Sequence, residues 1–250
     1  MLPTREALIE SAARRFVAAA AEAIEASGRF VVALSGGSTP QGLYALLATD
    51  AYASRVDWSR VHVLWGDERC VPPDDPASNY RMARLALLDH VPLAAGNVHR
   101  IAGESDPAEA ASAYERELRR LFGCPTGPPP LAPGARFDLV LLGLGEDGHT
   151  ASLFPGSKAV RETGRWAIAE RVAGVPRTRV TLTPPVINAA AEVLFLVSGR
   201  EKAAMLHRAL DGPWRRHALP AQAIVPAAGR LRWLADAEAA ADLDREAGTP

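Results

Sequence analysis

Residues 137–156 read FDLVLLGLGEDGHTASLFPG, and this stretch decides the fold class. Its core, Leu139-Val140-Leu141-Leu142, is apolar throughout rather than alternating, the mark of a strand buried on both faces. Three glycines, two acids and a histidine follow at once, so a polar loop leaves the end of a buried strand. The same unit recurs on either side. FVVAL at 30–34 runs into Ser35-Gly36-Gly37, and VHVLW at 61–65 runs into Gly66-Asp67-Glu68-Arg69. VLFLV at 193–197 runs into Ser198-Gly199-Arg200.

Helical spacing fills the intervals: residues 1–27, 41–48, 78–90, 107–122 and about 200–210. A further strand is expected at 179–183, with short edge strands near the C-terminus at 223–225 and 231–234. Buried strands alternating with helices predict an α/β fold, a mostly parallel sheet with helices on both faces, Rossmann-like. Residues 123–135 hold five prolines and three glycines and read as a surface connection. The strand pattern resumes directly after them, so residues 1–250 are expected to form one domain with an internal loop.

The 250 residues are 48% hydrophobic and 23% charged, with a formal net charge of −1. That balance gives no electrostatic case for nucleic acid or an anionic membrane. Cys70 and Cys124 form neither a disulfide framework nor a zinc spacing. Glu6, Glu10, Glu22 and Glu25 interrupt the apolar residues of the first helix, unlike a secretory signal. No apolar run reaches the roughly 18 residues a membrane span needs. A cytoplasmic enzyme acting on a small molecule is the expectation.

In parallel α/β sheets, ligands bind beyond the carboxyl ends of the strands. The first loop there, Ser35-Gly36-Gly37-Ser38-Thr39-Pro40, joins a strand to a helix. Its glycines admit close backbone approach, Ser38 or Thr39 can cap the helix, and Pro40 suits the first helical position. An exposed helix N-terminus attracts phosphate, although the same residues would also make a capped turn without a ligand. In the second loop Asp67 can act as base or orienter, and Arg69 as an anion clamp; a solvated turn before a helix capped by Ser78 would read alike. In the third, Asp147 and His149 flank Gly148, and histidine is the side chain whose ordinary pKa suits proton transfer near neutrality. The six histidines show no HxH or HExxH pairing, so a catalytic metal is not expected. Lys202 falls in the first turn of a helix, an unfavourable place for a cation unless an anion sits nearby.

Five segments in order resemble the 6-phosphogluconolactonase family: ALSGGSTPQGLY at 33–44, WGDERCVPPDDPASNYRMA at 65–83, FDLVLLGLGEDGHTASLFPG at 137–156, RVTLTPPVINAA at 179–190 and SGREKAAML at 198–206. The resemblance implies hydrolysis of 6-phospho-D-glucono-1,5-lactone to 6-phosphogluconate in the oxidative pentose phosphate pathway, with no metal and no organic cofactor. It implies that His149 is the base that activates water and that Asp67 lies in the active site. It places phosphate contacts at Ser35, Gly36, Gly37 and Ser38, with Arg69 and Lys202 as cationic partners and Asn79 and Arg179 at further motif positions.

Glucosamine-6-phosphate deaminases are similar in fold and loops, but there the histidine motif leads to an acidic residue where this chain carries Phe154. Their second-loop motif also reads DEY rather than Asp67-Glu68-Arg69. A sugar-phosphate sensor would need a DNA-binding segment, and about 30 residues precede the first strand, too few for a helix-turn-helix.

Overall fold

The computed structural model describes residues 1–243, so the end of the expected 1–250 unit lies outside the described residues. The long first helix, α1 (Arg5–Ser27), starts where the Thr4 hydroxyl accepts the Ala7 amide and stops at Gly28, which takes the left-handed conformation. It covers β1 (Phe30–Leu34), every residue of which is buried. Next come α2 (Ser38–Leu47), the single turn α3 (Asp50–Ala53), β2 (Val61–Trp65) and the short β3 (Asp67–Arg69). Ser78 caps α4 (Asn79–Ala86). Asp106 caps α5 (Pro107–Leu121), whose Pro107 sits where no N–H is needed. The chain continues through β4 (Leu139–Leu142), β5 (Ala167–Glu170), β6 (Arg179–Leu182), α6 (Pro184–Asn188), β7 (Glu192–Val197), α7 (Ala203–Leu210) and β8 (Arg230–Ala235).

Five strands form the central sheet in the order β2-β1-β4-β7-β8, with every pairing parallel. Strand order reverses between β1 and β4, since β2 lies on one side of β1 and β4 on the other. The loops after β1 and β4 therefore leave in opposite directions and open a crevice between them. Both are loops whose composition pointed to chemistry.

The structure corrects four expectations. The strand expected at 179–183 is β6, and it belongs to a separate antiparallel sheet, β3-β6-β5, beyond the end of β2. Residues 223–225 are not an edge strand: Ala223 ends a 3-10 turn that starts at Pro220, and the Asn188 side chain bonds the Ala223 carbonyl and the Val225 amide. A side chain thus satisfies backbone groups that a strand would have paired. Helix α2 begins at Ser38 with Gly37 as its cap, so neither Ser38 nor Thr39 caps it and Pro40 is its third residue rather than its first. The region 78–90 is α4 followed by a 3-10 turn, and a 3-10 turn at Arg200–Lys202 precedes α7. Residues 123–135 contain no helix or strand, as their prolines require. Among the described residues no helix is long and apolar enough to cross a membrane.

At the opposite end of β2 from the crevice, His62 Nδ1 lies 3.0 Å from His99 Nε2, and His99 Nδ1 lies 2.6 Å from Glu117. Partial burial, then the neighbouring His99, Arg29 and Arg120, push the His62 imidazole down to about 4. The unfolded chain would bind this proton near pH 6.5, so the native state holds fewer protons between those values and loses stability as pH falls through them. In His62→Leu, the melting temperature should lie further below wild type at pH 7 than at pH 4. An equal gap at both pH values would show that the histidine contributes nothing to the acid response.

Candidate active site

Two tyrosines fix the strand ends from which the site is built. The Tyr44 hydroxyl, from α2, accepts the Ser35 amide at 2.9 Å and donates to the Ser35 carbonyl at 2.8 Å. Tyr114, from α5, does the same at Trp65, at 2.9 and 2.8 Å. Each holds both backbone groups of the residue where a strand ends, Ser35 just after β1 and Trp65 at the end of β2, so the loop leaves from a rigid point. Ser35 Oγ is buried and has no hydrogen-bond partner among the described residues. The next residue must be glycine: a Cβ on Gly36 would stand 2.0 Å from Asn79 Oδ1.

The loop after β4 is shaped around His149. Asp147 Oδ1 accepts the His149 amide at 3.0 Å and lies 2.5 Å from the ring Nδ1. Burial works to raise the Asp147 carboxyl, but the hydrogen bonds from His149 outweigh it and leave the group below its ordinary value. An ionised carboxylate at Nδ1 holds the proton there and leaves Nε2 with a free lone pair. A Cβ on Gly145 would stand 2.1 Å from that Nδ1, so only glycine lets this dyad form. The Phe154 ring lies against the imidazole, centroids 4.6 Å apart, and the Arg179 guanidinium lies 5.7 Å from the Phe154 centroid.

The antiparallel sheet brings the second loop over the crevice. Asp67 pairs in register with Thr181, and Arg69 with Arg179, so two arginines stand opposite each other on neighbouring strands. Like charges directly opposite on a sheet are unfavourable, which makes the pair a natural anion clamp. Both Nε atoms are buried without a hydrogen-bond partner among the described residues. Asp67 is buried, and its carboxylate accepts the Ser152 hydroxyl at 2.5 Å and the Asn79 amide at 3.2 Å. Glu68, 3% exposed, holds the start of α4 by accepting the Asn79 and Tyr80 amides at 2.7 Å each and the Ser78 hydroxyl at 2.9 Å.

The three loops enclose one cavity of about 590 Å³. Ser35, Gly36, Gly37 and Ser38 form one wall, Asp67, Arg69, Asn79 and Arg179 another, and His149 and Lys202 complete it. Every residue singled out from the sequence is therefore in the same place. The Lys202 ammonium lies 3.8 Å from the Glu146 carboxylate at the rim. The Ser38 and Thr39 amides at the start of α2 have no possible intrahelical partner and no side-chain cap, and both residues lie at this wall. Among the described residues there is no group of three His, Cys, Asp or Glu side chains placed to hold a metal ion.

The sequence profile of glucosamine-6-phosphate isomerases/6-phosphogluconolactonase matches residues 3–233. The chain belongs to this family. A 6-phosphogluconolactonase of Nostoc sp. is 41% identical to it over 97% of each chain. The solved 6-phosphogluconolactonase from Trypanosoma cruzi superposes with a TM-score of 0.83 at 31% identity, over 98% of this chain and 96% of that one. A monomeric glucosamine-6-phosphate deaminase also superposes, with a TM-score of 0.78 at 23% identity over 96% of this chain and 97% of that one, which shows a common fold alone.

Within the framework of this 6-phosphogluconolactonase-type family, several groups that build the site escaped the sequence reading. Tyr44, Tyr114 and Ser152 lie in or near apolar stretches, and nothing local distinguishes a hydroxyl that clamps a strand end from one that fills space. Glu68 was legible as part of a charged loop, but its capping of α4 depends on where that helix packs.

Proposed function

We propose that this protein hydrolyses 6-phospho-D-glucono-1,5-lactone to 6-phospho-D-gluconate, the lactone-opening step of the pentose phosphate pathway, with His149 as general base. The observation that carries the reading is the Asp147–His149 dyad, 2.5 Å apart, facing the same cavity as three cations and the uncapped start of α2. The α2 N-terminus with Ser35, Gly36, Gly37 and Ser38 suits a phosphate group, helped by Arg69 and Lys202. Asn79 and Arg179 are left to orient the sugar acid and its developing charge.

A lactone is already an activated ester, so catalysis requires little more than a positioned water, a base and anion stabilisation. His149 Nε2 takes a proton from water as its oxygen bonds to the lactone carbonyl carbon. The carbonyl electrons move onto oxygen, and a cation of the cavity holds that charge. Collapse of the tetrahedral intermediate breaks the bond to the ring oxygen, which leaves with the proton carried by the imidazolium. The product is the open-chain acid, and no enzyme-bound ester forms. No step is routed through a metal.

The test is lactone disappearance with purified protein, the lactone generated in place and its spontaneous hydrolysis subtracted. Acceleration is expected, with no ammonia released from glucosamine 6-phosphate. Ammonia release without lactone hydrolysis would overturn the reading in favour of deamination. A non-ionisable Phe154 against His149 weighs against that chemistry, which needs a second proton-transferring group.

A further inference from the structure

We propose that Ser152 is a positioning residue for the hydrolysis: its hydroxyl fixes the Asp67 carboxylate and ties it to the loop that carries His149. The assignment rests on the reading of the site given above. Ser152 is fully buried and does not touch the cavity. Its Oγ donates to Asp67 Oδ2 at 2.5 Å, a short contact of the charge-assisted kind. Its amide donates to Thr181 Oγ1 at 3.2 Å, and Thr181 is the residue paired with Asp67 across the antiparallel sheet. One residue of the His149 loop thus grips both members of one cross-strand pair.

The preceding residue shows how firmly. Ala151 has φ 47°, the only positive value at a non-glycine position among the described residues. A side chain there is strained, and the conformation persists where surrounding bonds over-determine it. Here they do: Thr150 Oγ1 donates to the Gly143 carbonyl at 2.8 Å on one side, and Ser152 is held at two points on the other.

The consequence for the site runs through Arg179. Its Nη1 lies 3.9 Å from the same Asp67 Oδ2 that Ser152 occupies, while Asn79 Nδ2 donates to the other oxygen. With the hydroxyl in place, Oδ2 is already engaged and the guanidinium stays in the cavity wall. Without it, Oδ2 has only the arginine to turn to, and the cation is drawn away from the substrate toward Asp67.

The experiment compares Ser152→Ala, Ser152→Cys and Ser152→Thr by steady-state lactone hydrolysis, with thermal unfolding to establish that each folds. Cysteine nearly matches serine in size but is a weak donor, and threonine keeps the hydroxyl. The alanine and cysteine variants are expected to lose about tenfold in kcat/KM, mostly in kcat, and threonine to retain most of the activity. In an Asp67→Ala background the change from serine to alanine should cost less than about twofold, since the partner is gone. Cysteine behaving like serine, or the same loss with and without Asp67, would mean the residue only fills space and would overturn the assignment alone. Absence of lactone hydrolysis by the unmodified protein would overturn the reading of the site and this assignment with it.

Discussion

His149→Ala is expected to lower kcat for the phosphorylated lactone by about 10²–10⁴-fold, the usual range for loss of a positioned general base. The side chain is 35% exposed at the cavity, its Nδ1 is committed to Asp147, and Nε2 is the nitrogen left for water. KM should change little, because the α2 N-terminus, Arg69 and Lys202, the groups proposed to bind the phosphate, are untouched by the substitution. In the proposed mechanism the imidazole acts on the attacking water, so its removal deletes an interaction made chiefly in the transition state, and the loss falls on kcat. Asp147→Asn should reduce activity less, since an amide oxygen can still accept from Nδ1, while its NH₂ offers a competing orientation that turns the ring. Steady-state rates corrected for spontaneous opening measure both. Full activity in purified His149→Ala would remove the base from the mechanism, leaving electrostatic stabilisation by the cations as the source of any acceleration.

Glu68→Ala is expected to destabilise the fold by about 3–4 kcal/mol, because it orphans several buried donors at once. The carboxylate accepts the amides of Arg69, Asn79 and Tyr80 and the hydroxyl of Ser78, all within 2.9 Å. Burial pushes its carboxyl up, and these four hydrogen bonds offset only part of that. For a chain of this length the loss corresponds to a fall on the order of 10 °C in melting temperature. Glu68→Gln should cost less: its oxygen still accepts the donors on one side, while its NH₂ faces those on the other. Activity should fall as well, because Asn79, placed by Glu68, donates in turn to the Asp67 carboxylate and carbonyl. Calorimetry and lactone hydrolysis on the same samples check both effects. A melting temperature within a degree or two of wild type would show that water replaces the carboxylate and that α4 needs no such anchor.

The two effects differ in how far the sequence foretold them. His149 stands in a glycine-rich loop directly after an unbroken apolar strand, and every part of that argument is local. The β1 loop was legible for the same reason, although its helix starts at Ser38 and leaves that wall of the cavity without a side-chain cap. Glu68 was one acid among several in a charged turn. Three of its four partners come from residues ten to twelve positions on, and only the packing of α4 against β3 makes it the anchor of that helix.

The misplaced elements fail on similar grounds. Residues 223–225 carry β-branched side chains and read as a strand, but the Asn188 amide takes the hydrogen bonds that a neighbouring strand would have supplied. Residues 179–183 do form a strand. Its partners are β3 and β5 rather than the parallel sheet, and apolar patterning does not encode which edge a strand joins.

The sequence by itself determined the α/β class, the buried strands of the parallel sheet and the glycine-rich, polar loops at their carboxyl ends. Each follows from periodicity or from backbone constraints that act over a few residues, whereas Asn79 and Arg179 were marked only by the family resemblance. The tertiary structure alone decided that Arg69 and Arg179 stand side by side, that Ser152 holds Asp67 from 85 positions away, and that Tyr44 and Tyr114 clamp the ends of β1 and β2. Those contacts depend on sheet register and helix placement. They are set by the burial of the whole core, and no local pattern of residues carries that information.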